Sequence, residues 1–193
     1  DDSKALHIAH HLLQISNDWK GCSLLLQAGE LHIKAFSTER AVPCFTKVLN
    51  DLSSQKGKQE DSLFIKAAIE YSNISTARYD NIVVGSVLND AMARARKWNN
   101  QHHQALLEMH MAKNELLRSG YVKAIRHFEK GRTLAEELDD STLLHPTTMF
   151  TTFFLFWQGR FREVIKTYEN CISDVERYPV SQFPLLSSIA VGR

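Results

Sequence analysis

Apolar residues recur along this chain at helical spacing. Between Tyr121 and Gly131, a small residue (Ala124), an aromatic four positions on (Phe128) and a small residue three further on (Gly131) share one face of a 3.6-residue period. The same face returns forty residues later as Val164, Tyr168 and Cys171 and forty residues earlier as Val84, Leu88 and Ala91. A further forty-three residues back it is Ala41, Phe45 and Val48. The three extra residues fit the polar stretch 53–61 between the first two units. Twelve positions upstream of each face stands another small residue: Gly29, Ser72, Ala112 and Thr152. Small residues there let two antiparallel helices approach closely. Ser119-Gly120 and Gln158-Gly159-Arg160 read as the turns between paired helices, with glycine suited to a left-handed helix end. No segment alternates cleanly over six residues, so strand signals are absent.

The pattern predicts helices over 3–16, 19–36, 38–53, 60–78, 81–98, 101–118, 121–139, 145–158 and 161–177, with a tenth starting near Pro184. Residues 1–18 form a leading helix that closes a preceding unit. Residues 19–193 form the repeat domain, with units at 19–53, 60–98, 101–139 and 145–178 before a truncated helix. One helix pair cannot bury its apolar face alone, so stacked pairs share a continuous core. The expected fold is all-α, an α-solenoid of stacked antiparallel helix pairs.

Composition narrows the function classes. The 193 residues carry 44% apolar and 23% charged side chains, which fits a folded protein. Twenty-three basic and twenty-two acidic residues give a net charge of +1, too balanced to hold nucleic acid or an anionic membrane by long-range field. The eight Gly and four Pro are few for a β-sandwich or barrel. Cys22, Cys44 and Cys171 are an odd number with no close pair, which points to a reducing, cytoplasmic compartment. No apolar run approaches the ~20 residues that span a bilayer. There is no charged-then-apolar leader, and the chain closes on the apolar stretch 185–191, so both ends are expected to be internal to a longer protein.

The spacing small-x11-small-x3-aromatic-x2-small resembles the tetratricopeptide (TPR) repeat, carried by Ala112, Ala124, Phe128 and Gly131 and by Gly29, Ala41, Phe45 and Val48. The second and fourth units depart from it with Val84 and Val164, and the period is nearer forty than thirty-four. Longer units of this kind resemble the helical superhelix of signal-transduction ATPases, including transcriptional activators of the maltose-regulon type. The stretches 7–13, Asn17-Asp18-Trp19 and 24–30 are similar to the junction that opens the repeats in those ATPases. The resemblance implies a right-handed superhelix that binds a protein, a peptide, another domain of its own chain or a small effector. It implies no catalysis and no cofactor of its own. The parent would be a signalling ATPase or transcriptional regulator, with a stand-alone scaffold or chaperone-type adaptor as the alternative. The resemblance also implies that the first helix of each pair lines a concave groove. That places Leu26, Glu30, Ile33 and Lys34, then Lys66, Ile69, Asn73 and Thr76, at the partner surface. Leu106, Met109, Lys113 and Leu116, then Met149, Phe153, Phe156 and Trp157, continue it. Ile69 stands where a carboxylate-gripping member of the family has Lys, which argues against such a clamp here.

Other candidates are weaker. His7, His10 and His11 have a spacing that could place two imidazoles on one metal, but no HExxH or cysteine accompanies them, and a packing face is the simpler reading. His102 and His103 read as a solvated turn with one capping His. Arg94, Arg96 and Lys97 read as a solvated helix face, and no direct nucleic-acid contact is expected. Cys171 falls at a core position. There is no phosphate loop and no GxSxG elbow. The fourth unit is aromatic: Phe150, Phe153, Phe154, Phe156, Trp157 and Phe161. One reading is a pocket for a peptide or effector. The preferred one packs Phe150 and Phe154 within the unit and Phe153 and Trp157 on the truncated unit, with self-association of the fragment as its consequence.

Overall fold

A computed structural model describes residues 2–15, 19–75, 81–138 and 140–175. Among the described residues there are nine α-helices and no strand: α1 (Asp2–Leu12), α2 (Cys22–Lys34), α3 (Thr38–Leu52), α4 (Lys58–Ile74), α5 (Asn81–Lys97), α6 (Gln101–Leu117), α7 (Tyr121–Leu138), α8 (Ser141–Trp157) and α9 (Phe161–Val175). A single 3-10 turn, Trp19–Gly21, leads into α2. The all-helical expectation holds, and most helices fall within two residues of the predicted limits. The exceptions are the C-terminus of α1, which stops at Leu12 rather than 16, the N-terminus of α2, which starts at Cys22 rather than 19, the N-terminus of α8, and the end of α4 at Ile74 rather than 78. Helix α8 opens four residues before the predicted start because Asp140 caps it, its Oδ1 accepting from Thr142 N at 2.9 Å. Pro146 sits in the second turn of α8, as Pro43 does in α3, and each removes one donor from its helix's hydrogen-bond ladder. The expected helix near Pro184 lies outside the described residues.

Four inter-helix turns close in the same way. After α2, α5, α6 and α8, one residue adopts a left-handed backbone: Phe36 (φ 56°), Asn99 (φ 48°), Ser119 (φ 64°) and Gly159 (φ 71°). The next N–H then bonds five residues back: Ser37 to His32 O at 2.8 Å, Asn100 to Ala95 O at 2.9 Å, Gly120 to Glu115 O at 2.8 Å and Arg160 to Leu155 O at 3.0 Å. These bonds satisfy carbonyls that a helix end leaves unpaired, and the short turn reverses the chain. Glycine was expected at these ends. It holds the left-handed position after α8, whereas after α6 Ser119 takes it and Gly120 follows.

Each helix packs on the next, and α2, α4, α6 and α8 also pack on one another in sequence. The small positions of the repeat lie where paired helices touch. A Cβ at Gly29 would come 2.5 Å from Phe45 Cε1, and one at Gly131 would come 2.9 Å from Met109 Cγ and 3.0 Å from Ala105 O. Ala41, Ala112 and Ala124 are fully buried. The buried residues form two clusters. One runs from α1 to α5 and takes in Leu107 and Met111 of α6; the other joins Ala105, Met109 and Ala112 of α6 to α7 and α8. Helix α6 is therefore enclosed on both sides, and every residue from 107 to 114 is buried.

Candidate binding surfaces

Burial of α6 creates a chemical demand, because Glu108, His110, Lys113 and Asn114 are all in the buried stretch. A buried charge or imidazole needs a partner. For Glu108, His110 and Lys113 the neighbouring helices supply partners on two opposite sides, and each side makes a distinct surface.

On the side facing α2 and α4, Lys113 Nζ donates to Ser72 O at 3.1 Å, and Ser72 Oγ lies 3.2 Å from His110 Nδ1. The His110 ring meets Phe150 of α8 edge-on at 5.2 Å. Burial holds the His110 imidazole well below its usual range, and the Lys113 charge adds to the effect. Burial brings the Lys113 ammonium down to about 8, with Glu70 acting against it. Burial and the neighbouring charge of Glu30 push the Glu70 carboxyl up to about 6, opposed by a hydrogen bond from Asn73 and the charge of Lys113. His103, one turn above Leu106 on α6, is brought down to about 4 by burial and by the charges of His102 and Lys66. This side is a strip of coupled ionisable groups running over three helices.

The expected groove residues divide on this strip. Glu30, Lys34 and Lys66 are exposed, and Ile33, Ile69, Asn73, Leu106 and Leu116 are half-buried. Leu26 and Met109 are corrections: both are core residues, since close approach of the paired helices seals the face they occupy. Lys113 is also buried, turned into the polar contact with Ser72. Thr76 lies outside the described residues. In the aromatic unit, Met149 and Phe153 are half-buried, while Phe156 and Trp157 are 56% and 57% exposed. Phe150 and Phe154 are core, but they reach into the preceding unit rather than packing within their own: Phe150 meets His110 edge-on and Phe154 stacks on Phe128 at 4.7 Å. What Phe153 and Trp157 pack on beyond 175 lies outside the described residues.

The opposite side of α6 centres on Glu108, which is 2% exposed. His127 Nδ1 lies 2.6 Å from its Oε2, Lys130 Nζ lies 2.5 Å from its Oε1, and Arg96 stands at 3.7 Å. Burial raises the Glu108 carboxyl, but hydrogen bonds from His127 and Lys130 outweigh it and hold the group below its ordinary value. These residues border a cleft of about 380 Å³ between α5, α6 and α7. Sequence reading missed it, because its members come from three helices with no shared motif. The available signal was the run Lys123, Arg126, His127 and Lys130 on one face of α7.

In the basic cluster on α5, Arg96 and Lys97 are exposed as expected, but Arg94 is not part of a solvated face. Arg94 donates to Asp61 Oδ1 at 2.9 Å and to the carbonyls of Leu52 and Ser53, and it lies over the Phe64 ring at 3.9 Å. Lys97 and the Trp98 indole both donate to Asp61 Oδ2 at 2.8 Å. These contacts tie α5 to α4 and to the end of α3. His102 does not simply face solvent: its Nδ1 lies 2.7 Å from Asp140 Oδ2. His7, His10 and His11 contact one another edge-on and are exposed rather than packed against a neighbouring helix. No His, Cys, Asp or Glu cluster among the described residues has the grouping to hold a metal. Cys22 and Cys44 are buried, and burial raises the Cys44 thiol. The Cys171 side chain lies outside the described residues. No described helix is long and apolar enough to cross a membrane.

No protein-family model matches the chain, and neither curated proteins nor solved structures give a significant match.

Proposed function

We propose that this chain is a TPR-like, right-handed α-solenoid with a non-catalytic role, serving as the interaction or effector-sensing arm of a larger signalling ATPase or transcriptional regulator. The observation that carries the reading is the row formed by α2, α4, α6 and α8. These helices pack on one another as well as on their sequence neighbours, whereas the odd-numbered helices have little contact among themselves. Closer packing along one row curves a stack toward it and makes that row the inner surface. The inner surface then offers Glu30, Lys34, Lys66 and Asn73, passing into Phe153, Phe156 and Trp157 at the α8 end. A polar, ion-rich start and an aromatic end suit an extended protein segment, or another domain of the same chain, better than a compact substrate.

Photo-crosslinking residues placed one at a time at Lys34, Lys66 and Phe156 of the full-length protein test this reading in cells. Exposed positions Asp90 and Glu129 on the odd-numbered helices serve as controls. The expected result is one recurrent crosslinked species from the three inner positions and not from the controls. Equal crosslinking from both rows, or none from the inner one, would reject the reading.

A further inference from the structure

We propose that the cleft between α5, α6 and α7 is a binding site for a small organic phosphate carrying a diphosphate or longer group. The argument is independent of the inner row and begins with charge. Over the whole chain basic and acidic residues nearly cancel, 23 against 22. Around this cleft they do not: Arg96, Lys123, Arg126 and Lys130 gather with His127 about one acid, Glu108. Glu108 engages His127 and Lys130 directly. Lys123 and Arg126 have no ion-pair partner among the described residues, and both are exposed at the cleft mouth. Folding gathers more cations than the buried carboxylate can neutralise. Like charges held together are unfavourable without a counter-anion, so the excess marks a place for one.

Shape then narrows the ligand. Lys123, Arg126 and Lys130 stand at i, i+3 and i+7 on α7, a row about 10 Å long at the helical rise of 1.5 Å per residue. Asn89 and Arg96 stand seven apart on α5 and line the facing wall. A single carboxylate or sulfate would meet one end of such a row and leave the other unmatched. Linked phosphates extend along it, and a guanidinium fork grips phosphate in bidentate fashion. Met92, Ala93 and Met111 supply an apolar wall for the non-phosphate part of the molecule. About 380 Å³ is within the range of small-molecule sites and too small for a folded partner. Glu108 acts here as a positioning residue, since its contacts fix the His127 and Lys130 side chains before any ligand arrives.

Isothermal titration of the full-length chain with inorganic pyrophosphate, ADP, orthophosphate and a decameric glutamate peptide, at about 150 mM salt, tests the proposal. Saturable one-site binding of pyrophosphate and ADP, at least tenfold tighter than orthophosphate, is the expected result. Lys123→Glu and Arg126→Glu should each weaken it tenfold or more with an unchanged circular dichroism melt. Arg132→Glu provides the control for net charge, because Arg132 lies on α7 but is already paired with Glu129 and Glu136. An equal loss in Arg132→Glu would overturn the proposal, as would absence of saturable phosphate binding. Tighter binding of the glutamate peptide than of pyrophosphate would overturn it too, and would make the cleft a docking surface for acidic protein segments. A bound molecule contributed by another nucleotide-binding region of the full-length protein is recognised by insensitivity to both cleft variants, which again counts against the site.

Discussion

Gly29 lies directly against the ring of Phe45, so close that a Cβ there would come 2.5 Å from Cε1 and 2.6 Å from Cζ. Phe45 is fully buried and has no room to withdraw. Gly29→Ala is therefore expected to destabilise the chain by about 1–3 kcal/mol, the usual consequence of overpacking a filled core. Phe45→Leu vacates the contacted volume. In the double variant the alanine should cost at least ~0.5 kcal/mol less than it does alone. Urea unfolding of the four proteins measures the cycle. Additive costs would show that the two helices do not meet at these residues.

Ser119 takes a left-handed backbone at the α6–α7 turn, with φ of 64°. A side chain is unfavourable there and glycine is not. Ser86 is exposed within α5, where glycine carries only its entropic penalty. The same substitution should then have opposite signs. Ser119→Gly is expected to raise stability by about 0.5 kcal/mol, and Ser86→Gly to lower it by about 0.5 kcal/mol. Thermal melts of both variants check this, and a loss at Ser119 would mean that its turn is closed in some other way.

The contrast between these elements explains what the sequence made legible. Gly29, Ala41, Phe45, Ala112, Ala124 and Gly131 repeat because the first and third helix pairs meet the same steric restriction, and the period carries the reading through the other two. Polar pairing leaves no such trace. Glu108 meets partners 19 and 22 residues away, and Asp61 meets partners 33 to 37 away. Each is a one-time solution to a local burial, so the Arg94 cluster looks like an ordinary basic helix end until α4 is placed beside it. The enclosure of α6 was equally hidden. Its apolar residues are spread around the helix rather than gathered on one stripe, and its buried polar residues look like a solvated face.

Asp61 gathers three donors from the end of α5. It is 2% exposed, and removing its carboxylate leaves Arg94, whose side chain is 14% exposed, without its counter-charge. Asp61→Ala is expected to cost roughly 3 kcal/mol, the scale for breaking one partner out of a buried ion pair. The Lys97 contact adds little, since that side chain is 48% exposed. Lys97→Ala should therefore stay within about 1 kcal/mol of the parent. Chemical denaturation resolves the two values, and near-equal losses would locate the Asp61 interaction energy in the exposed pair instead.

Mild acid should weaken the fold before ordinary carboxylates titrate. His110 is held well below its usual range and His103 is brought to about 4, so both remain neutral in the folded state while the unfolded chain takes up protons below about 6.5. Stability therefore falls with decreasing pH, by about 1.4 kcal/mol per unit for each such group. Glu70 works the other way. Its folded value of about 6 lies above the unfolded value of 4.5, so its contribution is complete below 4.5 and is lost as pH rises through 6. Between 6 and 4.5 one of the two histidine contributions is offset, and a net loss of about 1.4 kcal/mol per unit remains. Glu108 below 4.5 and Asp61 below 3.8, both held below their ordinary values, begin to lose their stabilisation as well. The midpoint of urea unfolding should drop steadily from pH 7 to pH 5. His110→Gln, which cannot titrate, should flatten that slope, and an unchanged slope would show that His110 is not the buried neutral group described.

Phe154 and Trp157 lie one turn apart on α8 but face different surroundings. Phe154 is 2% exposed and stacks on Phe128 at 4.7 Å, so Phe154→Ala empties a packed site. A loss of about 3–5 kcal/mol is expected. Trp157 is 57% exposed, with Phe156 and Phe161 beside it at 56% each. Trp157→Ala removes surface rather than core and should cost under ~1 kcal/mol. If that aromatic edge is where a partner or a second copy of the chain docks, Trp157→Ala should lower association in sedimentation experiments while leaving the melt in place. A large stability loss at Trp157 would instead make the residue part of the core of a further helix pair, and the aromatic end of the inner row would then cease to be a binding surface.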